Sequence, residues 1–375
     1  MAVAHCTYST GYISTVCRLP SAILRSLMLA ASIFDTTEQN RISNYYLHVY
    51  YCQLLPWISA LPSPPLLATQ FSARQVAAAA VGLKLVSTLN TMLSNYYVGN
   101  PVLSWSGPHK EWRDWSKEII LITGASSGMG RAMAIEFARR GITVVAVDRN
   151  EPVSTESDAF PTNHVHFYRL DVTDSDAVHA LVQTLRSDVG DPTVVINNAG
   201  VFNGQTLLDA TPAQIQLTFA VNAVAPLLVT RAFLPAMLKA KHGHIVSMAS
   251  MASFVSIASN IDYSCTKAGL LGFYEGLSQE LQWRYHCPAI RNSIVHPFWV
   301  ETPLLTDDMA SRTRFDDKIM TAEHVAHKIV AHVLSGRSGQ LLMPESMFMA
   351  GYLRALPIWI QESLRNGKGL TLMKG

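Results

Sequence analysis

Tyr263 and Lys267 stand four residues apart, in a stretch from Tyr263 to Leu281 that reads as a helix. That spacing puts both side chains on one helix face. A phenol titrates near pH 10, too high for a base near neutrality. A lysine ammonium beside it favours the phenolate, with about 1.4 kcal/mol of interaction for each tenfold gain in acidity. Such a pair can take the proton from an alcohol hydroxyl while hydride leaves the carbon, or return it in reverse. Tyrosine and lysine at this interval also occur by chance, so their meaning depends on their company. Ser250 lies just beyond His244 to Met248, a run that reads as a strand, and its hydroxyl can bond the oxygen of the reacting carbon. Asn222, in Phe219-Ala220-Val221-Asn222, falls in another predicted helix facing the same cleft and could hold a water that relays protons from Lys267 to solvent.

A hydride needs a donor or acceptor, and a second group of residues offers one a seat. Thr123-Gly124-Ala125-Ser126-Ser127-Gly128-Met129-Gly130 lies between an apolar strand, Ile119 to Ile122, and a helix from about Met129 to Arg140. Glycines here permit a tight turn, let backbone N–H groups reach a pyrophosphate and let helix and strand pack closely. The phosphates then meet the positive end of the helix dipole. Alone, such a loop is often only a turn. Asp148 adds context, because it ends the second strand about 20 residues on, where an acid binds the adenosine ribose of a dinucleotide. An acid there favours NAD by repelling the extra phosphate of NADP, although Arg149 next to it could bind that phosphate instead. The plain alternative is that Asp148 only caps a turn.

These residues require an ordered scaffold, and the rest of the pattern provides it. Strands are expected at Thr143 to Val147, Val165 to Leu170, Val194 to Ile196, Ser293 to His296 and Gln340 to Met343. Helices follow Thr173 and Thr211, and another spans Ala322 to Leu334. Continuous apolar strands alternating with helices predict an α/β fold, a doubly wound parallel sheet of the Rossmann kind. Residues 1–116 form a mainly helical N-terminal extension, 117–345 the catalytic domain and 346–375 a C-terminal tail. The polar, tryptophan-marked segment Trp112 to Lys117 reads as a linker.

At 375 residues the chain exceeds one compact α/β domain, and 49% apolar against 15% charged residues points to a lipid neighbour. A formal net charge of +2, without basic runs, argues against nucleic acid. Cys6, Cys17, Cys52, Cys265 and Cys287 are scattered and odd in number, which fits a reducing compartment. Neither His242 with His244 nor His324 with His327 makes a convincing metal site, and no metal is expected. Residues 16–34 are interrupted by Arg18, Pro20 and Arg25, and residues 54–68 by Pro56, Pro62, Pro64 and Pro65. No stretch of the extension therefore reads as a spanning helix. Val76 to Leu93 fits an amphipathic helix lying in a membrane interface, or equally a helix packed on the catalytic domain.

The glycine turn, Asn197-Asn198-Ala199-Gly200, Asn222, Ser250, Tyr263 and Lys267 together resemble the short-chain dehydrogenase/reductase superfamily. The interval of thirteen residues from Ser250 to Tyr263 matches the family's spacing, and the resemblance covers roughly residues 117–343. It implies that Asp171 and Val172 flank the adenine and that Asn198, Ala199 and Gly200 line the cofactor. Pro297 to Thr302, with Val300 between them, would run along the nicotinamide, and Tyr263 and Lys267 would touch it as well. The family often has Pro-Gly after the sixth strand, whereas this chain reads His296-Pro297-Phe298-Trp299-Val300-Glu301-Thr302. That bulky version is similar to the retinol dehydrogenase and 17-beta-hydroxysteroid dehydrogenase branch associated with endoplasmic reticulum and lipid droplets. The resemblance implies an NAD(P)-dependent enzyme, NAD preferred, acting on a lipophilic alcohol or ketone at a membrane or lipid-droplet surface, and a homodimer. The competing readings are an NADPH-dependent ketoreductase of secondary metabolism and a nucleotide-binding protein without chemistry. Intact Ser250, Tyr263 and Lys267 weigh against the last.

Overall fold

Short runs of Ile, Leu and Val with few polar breaks form β1 (Ile119–Thr123), β2 (Thr143–Asp148), β4 (Val194–Asn197) and β5 (His244–Met248). With β3 (Val165–Arg169), β6 (Arg291–Pro297) and β9 (Gly339–Met343) they make one seven-stranded sheet in the order β3-β2-β1-β4-β5-β6-β9. Every pairing is parallel. The computed structural model of the chain describes residues 73–100, 112, 114–152, 160, 163–305 and 319–368. The stretches 16–34 and 54–68 of the extension lie outside the described residues.

Both faces of the sheet are covered. On one face, α2 (Gly128–Arg139) and α7 (Ala322–Leu334) bury Met133, Phe137, Ile329 and Val333 against Ile120, Ile122 and Val246. On the other, α3 (Ser175–Asp188), α5 (Ala225–Ala240) and α6 (Ile261–Trp283) bury Leu185, Phe233 and Leu281 against Leu121, Val145 and Val195. Strands covered on both faces have no polar side to present, which is why they read as unbroken apolar runs. The order reverses between β1 and β4, both central, so the loops leaving their carboxyl ends diverge and open a crevice there.

The helix after Thr211 is more structured than its sequence implies. Thr211 caps α4 (Pro212–Phe219) in a reciprocal capping box with Gln214. A π-turn at Ala220–Val224 then inserts an extra residue before α5. Such bulges inside helices often mark functional sites.

Two compact units divide the chain, Met1–Lys84 and Leu85–Gly375. Helix α1 (Ala73–Tyr97) covers the expected Val76–Leu93 and exposes Leu85, Val86, Leu89 and Leu93. Within the second unit, Asn100 exchanges two 2.7 Å hydrogen bonds with the backbone of Ser338, and Arg291 donates to the carbonyl of Gly99. The linker reading of Trp112 to Lys117 is corrected at its first residue. Trp112 is fully buried, 5.2 Å from the Trp115 ring and 4.2 Å from that of His242. A large flat ring placed there closes the foot of the sheet.

Residues 345–368 are also more than a tail. Glu345–Ala355 forms a 3-10 segment and Ile358–Lys368 the helix α8. Gln361 donates to the carbonyls of Arg354 and Leu356, folding one against the other. Two strands too short to be read from periodicity, β7 (Val300–Glu301) and β8 (Met320–Thr321), pair across the gap in between.

Candidate active site

The turn after β1 is built around close approach. Gly124 has φ +65°, and a Cβ there would stand 2.8 Å from the Ala199 Cα. A Cβ on Gly130 would fall 2.1 Å from the carbonyl oxygen of Gly124. These two glycines cannot carry side chains without moving the loop. Asn198 closes the crevice from β4, donating from Nδ2 to the carbonyls of Thr123 and Gly124 at 3.0 Å. Thr123 Oγ1 accepts from the backbone N–H of Asn198 and Ala199. The first turn of α2, with N–H groups that have no acceptor within the helix, therefore faces open space.

That space is a cavity of about 510 Å³. Gly124, Ser126, Ser127, Gly128, Asp148 and Arg149 line it, with Asp171 and Val172. Asn198, Ala199, Gly200 and Lys267 line it as well. Gly130 packs beneath the turn rather than facing the cavity. Asp148 both lines the cavity and caps the turn, accepting from the backbone of Ser126 at 3.0 Å and of Asn150 at 2.9 Å. Each carboxylate oxygen keeps a second lone pair for a ligand hydroxyl. Asp171 is held below the usual carboxylate range, first by the N–H and hydroxyl of Thr173, with the Arg149 charge adding to it. A glycine cradle at a helix N-terminus and an acid at the next strand's end fit a dinucleotide.

A second cavity of about 550 Å³ adjoins the first. Its walls include Phe202, Met251, Val255, Phe298, Trp299 and Leu305, and its polar groups include Ser250 and Tyr263. Pro297 and Val300 face this chamber, while Thr302 faces both cavities. Met129, Ala249, Tyr263 and Leu304 also line both, so the phenol stands where the two spaces meet.

Lys267 is buried, its Nζ donating to the Met248 carbonyl at 2.7 Å and lying 5.3 Å from the Tyr263 ring centre. Burial lowers Lys267 to about 8. Burial also pushes Tyr263 up to about 12, opposed by the Ser250 hydroxyl. The protein alone therefore favours neutral phenol over phenolate, and the lowering by lysine expected from the spacing is not realised without further positive charge nearby. Ser250 is held by its own loop, accepting from the N–H of Ala252 at 3.1 Å and donating to Pro297 at 3.4 Å.

Asn222 lies near Lys267: a Cβ on Gly200 would stand 3.5 Å from the Asn222 Oδ1 and 3.9 Å from the Lys267 Nζ. The Asn222 side chain is fully buried at the π-turn, accepting from the Val201 N–H and donating to the Val201 carbonyl, both at 2.8 Å. It lines neither cavity but fixes the backbone next to Gly200.

His296 was not singled out by spacing. Buried at the end of β6, it bonds the Ser250 carbonyl through Nδ1 at 3.2 Å, and its ring lies 4.6 Å from that of Phe254. Burial lowers it to about 4, so the neutral ring donates from Nδ1. Three of the four histidines weighed as metal ligands have other partners: His242 pairs with Glu118, His244 with Ser293 and His327 with Glu136.

A family model described as short chain dehydrogenase matches residues 118–312. The chain belongs to the short chain dehydrogenase family. Dehydrogenase RED2 of Cochliobolus heterostrophus is 35% identical over 240 residues, covering 64% of this chain and 85% of that protein. Epidermal retinol dehydrogenase 2 of Mus musculus is 32% identical over 250 residues, covering 64% and 79%. Estradiol 17-beta-dehydrogenase 11 of Rattus norvegicus is 30% identical over 254 residues, covering 66% and 85%. A solved short-chain dehydrogenase from Streptomyces avermitilis shares the fold, with TM-score 0.55 and 24% identity over 67% of this chain and 98% of that one. This short chain dehydrogenase is thus an oxidoreductase acting on CH–OH donors with a nicotinamide cofactor, of the retinol and 17-beta-hydroxysteroid dehydrogenase branch.

Proposed function

We propose that this short chain dehydrogenase interconverts a lipophilic alcohol and its carbonyl, retinoid-, steroid- or lipid-like, at the junction of the two cavities. The observation that carries this reading is the chamber: about 550 Å³, walled mainly by aliphatic and aromatic side chains, with Ser250 and Tyr263 at its inner end. An apolar wall cannot satisfy a polar substrate's hydroxyls, whereas one alcohol oxygen finds both hydroxyls waiting. The nicotinamide, when bound, accepts or supplies the hydride. In oxidation, Tyr263 takes the hydroxyl proton as its phenolate, Ser250 bonds the same oxygen, and the carbinol carbon loses its hydride. In reduction the phenol returns the proton. Lys267, as the ammonium, would stabilise the phenolate together with the positive charge of a bound oxidised nicotinamide, the further charge that the phenol needs. Asn222 serves by holding Val201 and Gly200 in place.

Asp148 favours NAD, through hydrogen bonds from the ribose and repulsion of an added phosphate. Arg149 on the same wall supports the second reading, an NADPH-dependent ketoreductase. The homologues' names include retinol and estradiol dehydrogenases, which agrees with the apolar chamber. Membrane association, on an endoplasmic reticulum or lipid-droplet surface, belongs to this proposal through the exposed leucines of α1. Residues 117–345 remain our catalytic domain, extended by 346–368, and a homodimer completes the reading.

Purified full-length protein assayed with a series of primary and secondary alcohols, with NAD and NADP, tests the proposal. Reduced cofactor should form faster with long-chain, retinoid or steroid alcohols than with short ones, and better with NAD. Equal or better turnover of small polar alcohols would exclude a lipophilic substrate.

A further inference from the structure

The 3-10 segment Glu345–Ala355 and α8 are apolar on two sides. One side completes the substrate chamber with Met347, Leu353, Leu356 and Leu364. The other side exposes Phe348 at 58%, Tyr352 at 61%, Ile358 at 65% and Trp359 at 72%. A helical segment with one apolar face packs and has done its work; a second apolar face needs a second apolar neighbour. Here the first face walls the apolar chamber, and the second lies on the same short segment of chain.

Several features say what that neighbour is. Met349 and Leu364 are exposed as well, so three of the six exposed large apolar side chains are aromatic, and those of tyrosine and tryptophan have an apolar body and a polar tip, the pairing that suits the boundary between headgroups and acyl chains. Four charges of the segment, all but that of the terminal Lys368, are already engaged: Lys328 pairs with Glu345 at 2.8 Å, Arg365 with Glu362, and Arg354 reaches inward. Laying the face on lipid therefore strands no lone charge in this group. Arg354 donates to the carbonyls of Phe254 at 3.2 Å and Ser253 at 3.0 Å, on the loop that begins with Ser250. The exposed face is thus tied through one side chain to the reacting end of the chamber.

We infer that residues 345–368 dock the mouth of the substrate chamber onto a phospholipid surface, so that substrate enters from the acyl layer without crossing water. This site is separate from α1 and rests on the proposed lipophilic substrate only for its purpose, not for its binding. Docking would immerse Phe348, Tyr352, Ile358 and Trp359 to about the 5–10 Å reached by interfacial helices.

The experiment uses the full chain with phosphatidylcholine vesicles, plain or brominated in the acyl chains. Brominated vesicles should quench part of the tryptophan emission of the wild type, and Trp359→Phe should lose that part. Equal quenching in both proteins overturns the inference, because Trp359 then never meets the acyl layer. A double variant, Ile358→Asp with Trp359→Asp, should turn over a water-soluble alcohol at the wild-type rate. With a lipophilic alcohol dissolved in the vesicles it should lose about tenfold or more, the scale of withdrawing two large side chains from an apolar phase. Unchanged turnover from vesicles also overturns it. If the wild type turns over neither alcohol, the enzymatic reading fails while the quenching comparison still decides the docking. Loss of a dimer in the double variant, without any Trp359 quenching, assigns the face to a second copy of the chain and sinks the lipid surface.

Discussion

Asp148 holds two duties at once. Two backbone N–H groups already bond its oxygens, which fixes the carboxylate at the cavity wall before any ligand arrives. A preset acceptor loses little freedom on binding, so it discriminates well between a ribose hydroxyl and a phosphate. Asp148→Ala should therefore move kcat/KM from NAD towards NADP by about tenfold or more, because the repulsive charge goes while Arg149 stays. A wild type that already prefers NADPH strongly would assign the choice to Arg149. Much of this was legible in the residues: Asp148 at the end of β2, the glycines of the turn and the Ser250, Tyr263 and Lys267 set all stand at one sheet edge. The two bonds of Asn222 to Val201 were not, because they join residues 21 positions apart. Nor was His296, whose importance lies in a contact with the carbonyl of Ser250 that no spacing announces.

At the scale of elements, strands and helices with a strong apolar pattern came out close to expectation; His244–Met248 and Ala322–Leu334 have the same limits in both. What sequence could not show was tertiary in origin. The ladder between Val300 and Met320 is too short for a period, and Trp112 looks polar-flanked until packing buries it. The sheet's foot carries a further device, where Ser293 Oγ lies 2.9 Å from Nε2 of both His244 and His332. Burial holds His244 well below its ordinary value and His332 at about 4. Both rings are neutral when folded but take protons when unfolded below about pH 6.5. Their contribution to stability is complete above that pH and falls as the pH drops towards 4, by about 1.4 kcal/mol per pH unit for each ring. The melting temperature should decline over this window, and His332→Gln should flatten the decline relative to its own value at pH 8. An identical slope in that variant would show that other groups control the acid limb.

For the whole molecule, the question is how the proposed lipophilic substrate reaches the chamber. The long apolar stretch Pro212–Ala240 is half buried in the domain, and α5 in it serves the core. Helix α1 differs, because Leu85, Leu89 and Leu93 share one stripe and are exposed. Leu85→Asp with Leu89→Asp and Leu93→Asp should shift the full-length protein from the membrane pellet towards the supernatant, with turnover of a water-soluble alcohol retained. Unchanged pelleting would remove α1 from the membrane account. In our proposal both surface elements serve chemistry at Tyr263, which stands where the two cavities meet. Tyr263→Phe removes one oxygen atom and tests that placement directly. NADH binding, followed by nicotinamide fluorescence, should stay within about twofold of wild type, while turnover of a lipophilic alcohol should fall by about 100-fold or more. Near-normal turnover with intact binding would contradict the account.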